Sequence, residues 1–131
     1  MTEVKTFNTK KATQAIGPYQ PKSQAVIAGP HIFVSGQLPA DAEGNIVQGS
    51  IAEMTTACCE NLKNILEDAG SSITRVVKVT AFLTTMDNFA EMNGVYEKYF
   101  THKPSRSCVA VHQLPKGVPV EIECIALSGK A

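Results

Sequence analysis

The side chains best equipped for chemistry lie close together near the C-terminus. They fall in KPSRSCVAVHQLP (103–115) and in VPVEIECIAL (118–127), which follows it. Arg106, Cys108, His112, Glu121 and Glu123 all belong to these two stretches. Of the twelve basic residues, only Arg75 and Arg106 are arginines, so scattered surface charge falls to lysine and Arg106 invites a specific explanation. An arginine fork grips a carboxylate bidentately and stays charged. A glutamate nearby can orient or deprotonate a water. The two together are the minimum for hydrolysing a small carboxylate-bearing substrate. The same residues can equally form an internal ion pair, or the arginine can snorkel from a strand end. Residue types alone do not choose between these. Cys108 has apolar neighbours and no histidine–asparagine context, which disfavours a nucleophilic thiol. His112, at the end of its strand, reads as a hydrogen-bonded surface residue before it reads as an acid or base.

Strand parity sorts these residues. Val120, Ile122, Cys124 and Ala126 form one wholly apolar face of the last strand, and Glu121, Glu123, Ile125 and Leu127 the other. On the preceding strand Ser107, Val109 and Val111 share a face, opposite Arg106, Cys108, Ala110 and His112. The two strands flank a turn at Pro115-Lys116-Gly117 and are expected to form a hairpin. In that hairpin Arg106, Cys108, His112, Glu121 and Glu123 share the face turned away from the core. With His112 opposite Pro119, Cys108 faces Glu123, and Arg106 lies diagonal to Glu123 at about 7 Å. So mixed a face is exposed to solvent or buried against another subunit. The second case would put a site at the interface.

Other elements must hold this pair in place. TEVKTF (2–7) alternates as a short strand, and 24–28 and 31–35 form a hairpin broken at Gly29-Pro30. SIAEMTTACCENLKNILEDAG (50–70) is the clearest helix, with a capping-box pair at Ser50 and Glu53 and a natural stop at Gly70. Cys58 lies on its apolar stripe. TRVVKVTAFLTT (74–85) reads as a central strand. Residues 87–100 read as a second helix capped by Asp87, with a core stripe at Phe89, Met92, Tyr96 and Tyr99/Phe100. Gly94, inside that helix, suggests close packing. The order β-β-β-α-β-α-β-β predicts an α+β fold: one mixed sheet with both helices on one face.

Composition sets the outer bounds. A chain of 131 residues is expected to form one domain, 1–131. Twelve basic and twelve acidic residues balance, which argues against a nucleic-acid binder and leaves subunit packing unopposed. The four cysteines have no C-x-x-C spacing and read as reduced thiols. The three histidines lie far apart, so no metal spacing appears. No apolar run is long enough to span a membrane. The first eleven residues have neither an apolar signal core nor the arginines of a presequence. Cytoplasm is therefore the default compartment, with a processed mitochondrial protein as the alternative.

PSRSCVAVHQLPKGVPVEIE (104–123) resembles the C-terminal signature of the RidA family, the reactive enamine/imine deaminases. AIGPY (15–19), FVSGQLP (33–39), RVVKVTAFL (75–83) and NGVYEKYF (93–100) agree with it, from about residue 12 to 128. The resemblance implies a chorismate-mutase-like fold and a homotrimer whose sheets close into a barrel, with sites between subunits. It implies cofactor-independent hydrolysis of 2-aminoacrylate, or its tautomer 2-iminopropanoate, to pyruvate and ammonia. By the resemblance, Arg106 grips the substrate carboxylate and Glu121 positions the hydrolytic water. Cys108 contacts substrate through its backbone, and Tyr19, Ser35, Gly36 and Asn93 line the pocket, with Gly36 offering its N–H. Two departures stand out: Gln20-Pro21-Lys22 separates GPY from SQAV, and His112 replaces a small or basic residue. Competing readings are a non-enzymatic trimer that binds small carboxylates and an RNA-cleaving inhibitor of translation; chaperone-like activity is a further family association.

Overall fold

A computed structural model describes residues 3–14 and 23–129. It contains β1 (Val4–Phe7), β2 (Ala25–Ala28), β3 (His31–Gln37), α1 (Ile51–Asp68), β4 (Val76–Leu83), α2 (Phe89–Tyr99), β5 (Ser105–Ala110) and β6 (Val120–Leu127). The strands form one six-stranded sheet in the order β1-β2-β3-β6-β4-β5. β4 and β5 are parallel, and every other neighbouring pair is antiparallel. A parallel pair needs a long crossover, and α2 provides it.

Alternation builds the core. On β6, Val120, Ile122, Cys124 and Ala126 are buried, and the residues between them are half-buried. Val79, Ala81 and Leu83 of β4 and Ile32 and Val34 of β3 join the same layer. Cys58, Cys59, Leu62, Ile65 and Leu66 of α1 cover it, along with Met92 and Tyr96 of α2. Both helices thus lie on one face of the mixed sheet, as expected. Each fully buried leucine or isoleucine here contributes about 1.5–3 kcal/mol.

Local chemistry sets the ends of α1. The Ser50 side chain accepts from the Glu53 N–H, and the Glu53 carboxylate accepts from Ser50 N–H at 3.1 Å, completing the capping box. Glu91 of α2 accepts from Ala52 N–H at 3.0 Å, a further capped donor. Gly70 follows the helix at φ +85°, a left-handed conformation that suits glycine.

Several expectations need correction. α2 starts at Phe89, not at 87, and Asp87 does not cap it: the Thr85 hydroxyl accepts from Asp87 N–H and caps a short 3-10 turn instead. A Cβ at Gly94 would meet nothing within 4 Å, so close packing does not account for that glycine. Most consequentially, β5 and β6 do not pair. β4 lies between them, with Ala81 opposite both Cys108 and Ile122. The turn at 115–117 links two strands of one sheet that are not neighbours, so the expected pairing of Cys108 with Glu123 does not exist.

Candidate functional site

Separating β5 from β6 moves Arg106 to the helix side. Arg106 lies opposite Val79, and Cys108 opposite Ala81, so both share the face that carries the core. Glu121 lies opposite Phe82 and alternates with buried Val120 and Ile122, so it points to the other face. Arg106 and Cys108 therefore do not share a face with Glu121 and Glu123, contrary to the hairpin reading. The sheet itself separates the arginine from the glutamate within the chain.

α2 builds the environment of the arginine. Phe89, Asn93 and Tyr96 recur on one side of this helix and face β5. Arg106 Nη1 donates to Asn93 Oδ1 at 2.5 Å. The guanidinium carbon sits 4.5 Å from the Tyr96 ring centroid and 5.6 Å from that of Phe89. Such cation–π contacts are worth about 0.5–2 kcal/mol, more as water is excluded. No carboxylate pairs with Arg106 among the described residues, so an internal Arg–Glu ion pair does not explain it. A cleft of about 410 Å³ opens beside it, lined by Asn93, Tyr96, Phe100, Lys103 and Pro104 among others. Cys108 is half-buried, and desolvation raises its thiol pKa despite the opposing pull of Arg106. A thiol so protonated at neutral pH is a poor nucleophile. Burial likewise raises Cys58 strongly and pushes Cys59 and Cys124 up to about 12.

The second half of the set lies on the opposite face. The ladder between β3 and β6 shifts register between Val34 and Gln37, placing Ser35 and Gly36 in the irregularity. A Cβ on Gly36 would fall 2.0 Å from Glu121 Oε2, so glycine there makes room for that carboxylate. Ser35 Oγ donates to Ser23 O at 2.7 Å. Ser35 and Gly36 thus accompany Glu121, while Asn93 and Cys108 accompany Arg106. Tyr19, the AIGPY motif and the Gln20-Pro21-Lys22 departure lie outside the described residues. His112 is exposed and borders a separate cleft of about 470 Å³ with Thr84 and Lys116. Among the described residues no group of three or more His, Cys, Asp or Glu could hold a metal, and no helix is long and apolar enough to cross a membrane.

In sequence Phe89 and Tyr96 read only as a core stripe, yet in the fold their rings flank Arg106. The β-α-β order of β4, α2 and β5 held the missing signal: a crossover helix packs over the strands it joins, which brings its inner side chains onto Arg106.

Comparison with known proteins agrees with the signature. The family model described as Endoribonuclease L-PSP matches residues 9–128. A RutC family protein of Pyrococcus abyssi is 52% identical, covering 90% of this chain and 92% of its own. The 2-iminobutanoate/2-iminopropanoate deaminase of Bos taurus is 44% identical, covering 95% and 90% respectively. Protein MMF1, mitochondrial, of Saccharomyces cerevisiae is 46% identical over 97% of this chain and 86% of its own. The crystal structure of yeast Mmf1 has a TM-score of 0.90 at 45% identity, covering 96% of this chain and 99% of that one.

Proposed function

The chain belongs to the RidA family, and we propose that it is a cofactor-independent deaminase of small 2-imino acids. The substrate is 2-iminopropanoate, reached from 2-aminoacrylate by tautomerisation. Water adds to C2 and the C=N electron pair passes to nitrogen. The resulting carbinolamine expels ammonia as the C=O bond forms. Imine plus water thus becomes 2-keto acid plus ammonia, with no change of oxidation state.

Arg106 holds the substrate carboxylate, and Glu121 orients the attacking water. Asn93 and the Cys108 backbone border the substrate on the arginine side. Ser35, the Gly36 N–H and Tyr19 complete the pocket. An imine is already electrophilic, so position and exclusion of solvent are most of what the protein must supply. The observation that carries this reading is the state of Arg106. It is half-buried and flanked by aromatic rings, and among the described residues it has a single amide partner and no carboxylate. A guanidinium with donors to spare in a cleft is a carboxylate receptor.

The reading also requires a second copy of the chain. Arg106 and Glu121 sit on opposite faces of the sheet, so a site using both is completed between subunits. A homotrimer of chorismate-mutase-like subunits, with sheets closed into a barrel, would meet that need. Phe33 and Val109, on the Glu121 face, are 45% and 43% exposed, and this apolar surface favours burial against another subunit.

The test is a coupled assay in which a serine dehydratase generates 2-aminoacrylate and pyruvate release is followed. Wild type should accelerate release, and neither Arg106→Ala nor Glu121→Gln should. Co-refolding the two variants should restore roughly a quarter of the activity, because random cyclic assembly leaves that share of interfaces with both residues intact. No recovery from folded mixed trimers would rule out a shared site. No acceleration by wild type would favour a non-enzymatic carboxylate-binding trimer.

RNA cleavage is the second reading, because the matching family model is described as an endoribonuclease. Twelve basic residues against twelve acidic ones give it little electrostatic support. RNA affinity that falls steeply with salt would revive it.

A further inference from the structure

We propose that Tyr96 is the positioning residue for Arg106: its ring fixes the plane of the guanidinium and keeps the Nε–Nη2 edge ready for a carboxylate. The inference rests on the reading of Arg106 as the carboxylate receptor. Phe89, Asn93 and Tyr96 stand at i, i+4 and i+7, along one side of α2. Together they constrain the guanidinium in distinct ways. Asn93 fixes Nη1 through a 2.5 Å hydrogen bond. Tyr96 lies 4.5 Å from the guanidinium carbon and Phe89 5.6 Å. The hydrogen bond alone would leave the guanidinium free to swing about Nη1. A ring face against the guanidinium removes that freedom. Among the described residues Nε and Nη2 have no partner, and they form one planar fork of the kind that matches a carboxylate.

The Tyr96 ring is itself held firmly. It is 7% exposed and stacks on Phe100 at 4.6 Å between centroids, with 26° between planes. Its hydroxyl is buried without a hydrogen-bond partner among the described residues. A tyrosine placed for its hydroxyl normally finds a partner when buried. Here the ring is the working part. Burial raises the phenol pKa, although Arg106 nearby pulls it down, so the ring stays neutral at physiological pH. A receptor arginine already held in its binding geometry avoids the ordering cost that a free side chain would incur on binding. Loss of the ring should therefore weaken carboxylate affinity more than turnover.

The test compares Tyr96→Leu, Tyr96→Phe, Met92→Ala and Arg106→Ala with wild type. Met92 is a fully buried core residue of the same helix, so its truncation controls for loss of packing. Pyruvate, which carries the same carboxylate, is titrated by NMR, and kcat and KM are measured on 2-iminopropanoate generated in situ. Tyr96→Leu should raise the pyruvate Kd and the KM about tenfold, equivalent to about 1.4 kcal/mol. Its kcat should change by less than about threefold. Tyr96→Phe should restore wild-type Kd and KM, while Met92→Ala should lower Tm without moving either constant. A wild-type Kd in Tyr96→Leu, or an equal Kd rise in Met92→Ala, would overturn the proposal. Failure of Tyr96→Phe to restore affinity would overturn the assignment to the ring. If wild type binds pyruvate through Arg106 but deaminates nothing, the deaminase reading falls and the Kd series still decides the role of Tyr96. If wild type does not bind pyruvate, both fall.

Discussion

Arg75 immediately precedes β4, and Arg106 is the second residue of its parallel neighbour β5. In Arg75, Nε donates to Gly129 O at 3.1 Å and Nη2 to Ser128 O at 3.0 Å. The side-on edge of that guanidinium is filled by the chain's own carbonyls. In Arg106 the corresponding edge has no partner among the described residues, and only Nη1 is engaged, by Asn93. The same residue type thus ties down the segment just after β6 in one place and leaves an open fork in the other. What distinguishes them is whether the fold supplies acceptors, not burial or charge. A saturated fork contributes to stability, while an open fork held by aromatic rings has its donors left for a ligand.

The sharpest way to break this comparison is to make the same change at both arginines. Arg106→Lys should lower deamination at least about a hundredfold, because an ammonium cannot reproduce a planar fork. It should leave Tm within a few degrees of wild type. Arg75→Lys should leave the rate within about twofold and lower Tm by roughly 2–4 °C, as expected for the loss of about 1 kcal/mol of hydrogen bonding. Parallel rate assays and thermal melts read both. Equal rate losses at the two positions would mean that Arg106 acts through the fold.

A smaller effect is expected at Gly36. Alanine there puts a Cβ 2.0 Å from Glu121 Oε2. The clash is with the end of a flexible side chain, so the carboxylate should swing aside while the subunit stays folded. Gly36→Ala should lower kcat about tenfold, short of the 10²–10⁴ expected for outright loss of a general base. The pyruvate Kd should stay near wild type, since the Arg106 fork is untouched. A rise in Kd with kcat unchanged would put Gly36 on the binding side instead.

The two halves of the site were unequally legible. Parity within β6 correctly separated Glu121 from Val120, Ile122 and Cys124, because a one-sided core enforces strict alternation. The capping box at Ser50 and Glu53 was equally clear, since it depends only on local spacing. Parity on β5 did group Arg106 with Cys108. What parity cannot supply is which face meets the helices, and the assumed hairpin chose wrongly. Strands adjacent in sequence often pair, but the β4-α2-β5 crossover places β5 at the sheet edge and leaves β6 to fill the gap beside β4. The aromatic platform under Arg106 was hidden for a related reason. Phe89 and Tyr96 look like any apolar helix stripe until β5 is known to lie beneath them. The register shift at Ser35 and Gly36 depends on pairing with β6, ninety residues away or so, and local pattern carries no trace of it.

The smallest effect tests the structural side of the comparison with acid. Asp68 at the end of α1 accepts from the Thr9 hydroxyl and, at 3.0 Å, from Lys11 Nζ, so it anchors the segment after β1 as Arg75 anchors Ser128 and Gly129 after β6. The Thr9 hydrogen bond first, and the Lys11 hydrogen bond second, lower its pKa below the ordinary 3.8. A carboxylate whose folded pKa is depressed stabilises the fold fully above its unfolded pKa. That contribution is lost as pH falls through the folded value. Asp68→Asn should therefore be less stable than wild type at pH 6, by a small margin because the group is solvent-screened. The gap in Tm should narrow as pH drops below about 4, the unfolded value. Deamination at pH 7 should be unchanged, because nothing at Asp68 touches either half of the site. A Tm gap that stayed constant to low pH would show that the anchor works through shape and not charge. A change in KM would mean that the N-terminal segment couples to the Arg106 pocket, and the separation of saturated anchors from open receptors would then have to be redrawn.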